Sequence, residues 1–190
     1  MDQAHPVALA SRVPQASPRQ ANCYYSSSDA AFADRYQAQA EYQRVLDGAV
    51  QLDGGWRVYG VRGPLTARVL GLHPSLALTD TAILLSQLAE FKEPRGKGTV
   101  FVPHWKSVRF GAWQEICDDL GIEFIDPCDD SQAVIRRIVR AGRVIAESMH
   151  AAIVADAFRV PWSPVVLSRE VSPFKWADWA QSLEMAYRSY

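Results

Sequence analysis

From Trp56 onward the chain alternates short apolar runs with longer segments whose apolar positions recur at helical spacing. "WRVYGV" is strand-like. Gly63 and Pro64 follow, then "LTARVLGL", a predicted helix with proline at its first position and Gly71 as its stop. "LALTD" reads as a second short strand and "TAILLSQLA" as a helix. "GTVFVPH" is a β-rich run after a glycine-rich turn. In "VRFGAWQEICDDLG" the residues Phe110, Trp113, Ile116 and Leu120 fall on one helical face, with Gly121 as the stop. "IEFIDP" is strand. "DDSQAVIRRIVRAG" is helix, capped by Asp130 or Ser131 and carrying Val134, Ile135, Ile138 and Val139 on one face. "RVIAE", "MHAAIVADAF" and "VPWSPVVLS" give strand, helix, strand. Ser172 and Pro173 open a last helix in "SPFKWADWAQSLEMAY".

Strands alternating with helices of this length imply βαβ units, and hence an α/β domain with an open, doubly wound, mostly parallel Rossmann-like sheet over residues 49–190. Residues 1–48 differ in composition, being rich in Ala, Gln, Ser, Asp and Pro. They read as an N-terminal extension, disordered over 1–30 with a peripheral helix at 31–48.

Composition narrows the function classes. At 190 residues and 48% hydrophobic, the chain suffices for one domain with a full core. A net charge of −1, with both signs scattered, excludes the basic stripe of a nucleic-acid binder. Three cysteines, Cys23, Cys117 and Cys128, without a CxxC argue against a disulfide framework or metal site and for a reducing cytoplasm. The N-terminus lacks the pattern of a secretion signal, and no apolar stretch approaches a membrane span.

In a parallel sheet, ligands bind beyond the carboxyl ends of the strands, so polar residues at those junctions are the candidates. They are Arg62, Asp80, His104, Asp126, then Glu147, Ser148 and His150 after "RVIA", and Arg169. His150 stands where strand becomes helix, and a helix N-terminus favours an anion. Arg62 adds a cation that can fork onto carboxylate or phosphate. The rim as a whole suits a small, strongly anionic ligand. Plainer roles compete at each position: a helix cap for Asp80, an ion pair with Arg143 for Glu147, a loop bond for His104, ordinary solvation for Arg169. Ala151, Ala152, Ala155 and Ala157 let the helix after His150 lie close on the sheet, and Trp176 with Trp179 suits packing of the last helix.

The segments "VYGVRGPLTARVLGL", "LTDTAILL", "FVPHW", "IDP", "VIAESMHAAIVADAFRVPWSPV" and "FKWADW", in this order and spacing, resemble the polysaccharide pyruvyltransferase family, most nearly those acting on exopolysaccharides. The resemblance covers about residues 56–182, the C-terminal half of such enzymes. It implies the C-terminal lobe of a GT-B-like fold. It also implies transfer of the pyruvyl group of phosphoenolpyruvate to a sugar as a ketal, with phosphoenolpyruvate as co-substrate and no cofactor or metal. By position, Arg62 matches the arginine of the family's "RGPLT" motif and His150 the histidine of its "S-x-H" motif. Ser148 matches the small polar residue two before that histidine, and His104 a histidine after the middle strand. Ala151 stands where the family has glycine. The family's N-terminal lobe has no counterpart in residues 1–48, which implies either a partner chain supplying it or a truncated or degenerate copy.

Arg62 and His150 are then the expected catalytic pair, facing a common pocket, with His104, Ser148, Glu147 and Asp80 binding substrate. The acceptor is a sugar or lipid-linked oligosaccharide, which implies a cytoplasmic protein working at the inner membrane face. A glycosyltransferase-like sugar-nucleotide enzyme and a non-catalytic subunit of a polysaccharide assembly are the competing functions.

Overall fold

The computed structural model describes residues 44–45, 47–49, 51–53 and 55–188. The expected disorder over 1–30 and most of the expected helix at 31–48 lie outside them; Arg44, Val45 and Asp47 are helical. The chain falls into two compact units. One comprises the residues up to Thr81 with Pro173–Tyr187, and the other is Ala82–Ser172.

The second unit holds a four-stranded, wholly parallel sheet. Its strands are β1 (Thr99–Val102), β2 (Glu123–Phe124), β3 (Arg143–Ala146) and β4 (Trp162–Pro164), in spatial order β2-β1-β3-β4. Strand β1 is central because Val100, Phe101 and Val102 are all buried, the continuous apolar run of a strand covered on both faces. It pairs with β3 in the register Val100↔Val144 and Val102↔Ala146.

Four helices complete the crossovers and the C-terminus in this numbering, after α1 (Pro64–Val69): α2 (Trp113–Asp119), α3 (Ser131–Arg140), α4 (Met149–Ala157) and α5 (Pro173–Ser182). Asp130 caps α3, its Oδ1 accepting from the Ala133 amide at 2.9 Å. Helix α4 explains its own thinness: Ala151, Ala152, Ile153, Val154 and Ala155 are all buried, so the helix is enclosed rather than amphipathic. No helix among the described residues is long and apolar enough to cross a membrane.

The strand order makes the sheet doubly wound. The chain leaves β1 for the β2 edge, returns across it to β3, and continues outward to β4. The reversal falls between β1 and β3, the switch point at which an open α/β sheet offers a crevice to ligands.

Three sequence expectations fail locally. "WRVYGV" and "LALTD" are not strands; they meet only at a parallel bridge, Val61↔Ala77. Strand pairing cannot propagate, because the partner is a 3₁₀ turn, Pro74–Leu76, up to the residue before the bridge. Trp56 and Tyr59 are accordingly exposed. "TAILLSQLA" forms 3₁₀ turns over Thr81–Gln87 and Ala89–Phe91, with Leu84 and Leu88 exposed. Lacking a buried face, it lacks what stabilises most protein α-helices. The helix expected from Val108 begins at Trp113 instead. Extended backbone at Gly111 ends a 3₁₀ turn, and the Trp113 indole donates to the Ser107 carbonyl at 2.8 Å. Phe110, Ile116 and Leu120 point outward, and Cys117 is the buried residue of α2.

Candidate functional site

At the switch point the chain end of β3 is tied to β1. The amides of Glu147 and Ser148 donate to the Val102 carbonyl at 3.0 and 3.1 Å. The Ser148 hydroxyl then caps α4, accepting from the Ala151 amide at 3.4 Å. His150 occupies the second position of α4 and is exposed. His104 follows β1 after Pro103. Its Nδ1 lies 3.4 Å from the Lys106 amide nitrogen, a long contact. His104, Ser148 and His150 therefore share the carboxyl edge of one sheet, after the two strands that flank the reversal.

Glu147 has a different place from the one expected. It is fully buried, with both carboxylate oxygens taken by backbone donors. One accepts from the His104 amide at 2.8 Å and the other from the Leu167 amide at 3.2 Å. A side chain with no exposed surface cannot touch substrate; Glu147 is a positioning residue that fixes the loops after β1 and β4 to the end of β3. Nor is an Arg143 pairing needed to account for it, since the two amides satisfy a buried carboxylate.

The other rim candidates serve their own loops. The Asp126 carboxylate accepts from the Cys128 amide at 2.8 Å, closing an Asx turn. Arg169 is exposed, as its plainer role required.

Arg62 and Asp80 lie in the first unit and follow the isolated bridge, not strands of the sheet. Arg62 Nε donates to Asp80 Oδ2 at 2.8 Å, and Asp80 is almost completely buried. Asp80 thus holds the guanidinium through its Nε.

The "RGPLT" segment owes its form to a residue the sequence did not single out. Asp178, fully buried in α5, reaches the N-terminus of α1. Its Oδ1 accepts from the amides of Leu65 and Thr66 at 2.8 and 3.0 Å, and its Oδ2 from the Thr66 hydroxyl at 2.5 Å. Burial pushes the Asp178 carboxyl above the usual carboxylate range, against the donations from Thr66 and Leu65 and the charge of Arg62. Gly63 is required by this approach: a Cβ there would stand 2.0 Å from the Asp178 carbonyl oxygen. An acid between two tryptophans in "WADW" was the available signal. Trp176 and Trp179 are themselves buried and meet edge-on at 6.0 Å, so they pack the helix and offer no exposed stacking surface.

The sequence matches no family model, and no solved structure matches it. It is 47% identical over 134 residues to the succinoglycan biosynthesis protein ExoV of Rhizobium meliloti (strain 1021), covering 70% of this chain and 42% of that protein. It is also 47% identical over 79 residues to a 1,2-beta-oligoglucan phosphorylase of Listeria innocua serovar 6a, covering 38% of this chain and 7% of that protein. The chain thus spans less than half the length of either relative.

Proposed function

We propose that the chain is a polysaccharide pyruvyltransferase, or the C-terminal part of one, moving the pyruvyl group of phosphoenolpyruvate onto an exopolysaccharide sugar as a ketal. The observation that carries this reading is the 47% identity over 134 residues to a succinoglycan biosynthesis protein. The exposed histidine at the first turn of α4, beside the sheet's switch point, supplies the matching chemistry.

In this mechanism His150, as imidazolium, protonates the methylene carbon of the enol. A sugar hydroxyl attacks the adjacent carbon and gives its proton to His104. A second hydroxyl displaces phosphate, which leaves with the second hydroxyl proton. A general acid placed in this way contributes roughly 10²–10⁴-fold in rate. In the sheet unit the capped start of α4 at Ser148 stabilises departing charge; Arg62, held by Asp80 in the first unit, is the proposed cation for a carboxylate or phosphate. Asp178 and Glu147 position these parts from within the fold.

The test is release of inorganic phosphate from phosphoenolpyruvate, dependent on an exopolysaccharide repeat unit, with the ketal identified in the product by NMR. Absence of the ketal from a product mixture that has released phosphate refutes the transfer.

A second reading, a glycosyltransferase-like enzyme binding a sugar nucleotide, draws on the same anion-favouring start of α4. Thermal melts with phosphoenolpyruvate and with sugar nucleotides separate the two, because a ligand raises the melting temperature only of the protein that binds it.

A further inference from the structure

We infer that the paired loops after β1 and β4 form a saccharide-binding platform, with the Trp105 indole as its stacking face. This rests on the proposed transfer, for which it supplies the acceptor site. Trp105 is 54% exposed, immediately beyond His104 at the carboxyl end of the central strand.

An exposed indole on a loose loop carries little information; here the loop is fixed from several sides. The His104 amide is held by buried Glu147, and the Ser107 amide donates to the His104 carbonyl at 2.8 Å, closing the turn across Trp105. The fully buried Ser107 bonds the Ser168 hydroxyl at 2.8 Å, joining this loop to the one after β4. Lys106 continues the join. Its Nζ lies 3.2 Å from Glu170 Oε2 and 5.4 Å from the centre of the Trp105 ring. The second loop then presents Leu167, 52% exposed, whose own amide is held by the same Glu147.

The chemistry of the surface selects its ligand. A rigid aromatic face meets the apolar C–H face of a pyranose ring without paying further loop entropy. The Lys106–Glu170 pair beside it offers one donor group and one acceptor group with no net charge. That suits the hydroxyl edge of a sugar.

Binding is measured on the full chain, without phosphoenolpyruvate, by saturation-transfer NMR and tryptophan fluorescence. The probes are cellotetraose and sophorotetraose, β-linked glucose tetramers. Wild type should bind at least one of them. Trp105→Ala should weaken that binding roughly tenfold, while Trp105→Phe, which keeps an aromatic face, should stay within about threefold. Because the indole is exposed, both variants should melt within about 3 °C of wild type. Failure of wild type to bind either tetramer, or equal binding by Trp105→Ala, overturns the platform. If the tetramers bind at Trp105 but phosphoenolpyruvate is never consumed, the platform stands and the transferase reading falls. If Trp105→Ala transfers pyruvate with a wild-type acceptor KM, the platform falls and the transferase reading stands.

Discussion

Asp178→Ala removes three acceptor bonds at once: those from the Leu65 amide, the Thr66 amide and the Thr66 hydroxyl. The two amides belong to the first turn of α1, so the loss amounts to removing a helix cap, about 0.5–2 kcal/mol. The hydroxyl bond to a charged acceptor adds roughly 1.5–3 kcal/mol. Against this, the variant no longer buries a carboxylate, which returns about 1 kcal/mol. The net destabilisation is about 2–3 kcal/mol, or about 5–10 °C in melting temperature for a chain of this size. Asp178→Asn keeps an oxygen for both amides, and the Thr66 hydroxyl can rotate to accept from the new amide, so it should stay within about 1 kcal/mol of wild type. Melting by circular dichroism ranks the three proteins. An alanine variant that melts within about 1 °C of wild type refutes the capping role. The pH dependence gives a second measure. Burial raises the folded-state value of Asp178 above that of the unfolded chain. Its contribution is therefore fully present below about pH 3.9 and is lost as pH rises through the folded value. The stability of wild type relative to Asp178→Asn should increase on going from pH 7 toward pH 4, as measured by urea unfolding. A decrease would mean that the donated bonds, not burial, dominate.

Gly63→Ala forces a methyl group to within 2.7 Å of the Asp178 carbonyl carbon as well as its oxygen, and backbone cannot swing aside as a side chain can. It should cost roughly 3 kcal/mol in urea unfolding, and a neutral result would mean α5 moves freely against "RGPLT". Glu147→Ala leaves the amides of His104 and Leu167 without their acceptor and should destabilise the sheet unit by about 2–4 kcal/mol, with faster hydrogen exchange at both amides. Exchange rates unchanged at those two positions would exclude the positioning role. His150→Gln, at an exposed position, should change stability by less than about 0.5 kcal/mol while lowering ketal formation roughly 10²–10⁴-fold. Full activity in that variant removes His150 from the chemistry.

What the sequence disclosed follows from how each element is stabilised. Strands β1 and β3 were legible because a central parallel strand is buried on both faces and reads as an unbroken apolar run. Helix α3 was legible through its cap, Asp130, and α1 through Pro64 at its start and Gly71, at φ +63°, at its end, whereas the Ser148 cap of α4 was not read from the sequence. The placement of His104, Ser148 and His150 on one edge followed from that alternation alone. "WRVYGV" misled because β-propensity describes a residue's fit to a sheet and cannot supply the neighbouring strand. The α2 stripe misled for the converse reason. Its spacing is helical, but helical spacing does not say which face a fold will cover, and here Cys117 faces inward while Leu120 is exposed. Asp178 and Glu147 were illegible in role because their partners are distant in sequence, 113 positions in the case of Leu65. Periodicity carries no information at that range.

The two buried acids solve one problem in two places. Loops at a sheet rim and the first turn of a helix expose backbone amides that the regular elements leave unpaired. A ligand anion could take them, but only while bound; an internal carboxylate takes them permanently and holds the loop in one shape. Asp178 does this for "RGPLT", and Glu147 for the loops after β1 and β4. It follows that these amides are not where a substrate anion binds, although a sequence argument from helix N-termini alone would have nominated those of α1. In the sheet unit the anion-favouring feature left at the rim is the start of α4. There the cap is the Ser148 hydroxyl, neutral and at the long distance of 3.4 Å from the Ala151 amide. A neutral cap compensates the helix dipole less than a carboxylate does, and so leaves more of its field for an incoming charge. Under the proposed transfer, the contrast between a charged staple at the loops and a neutral cap at α4 would direct the substrate anion toward His150.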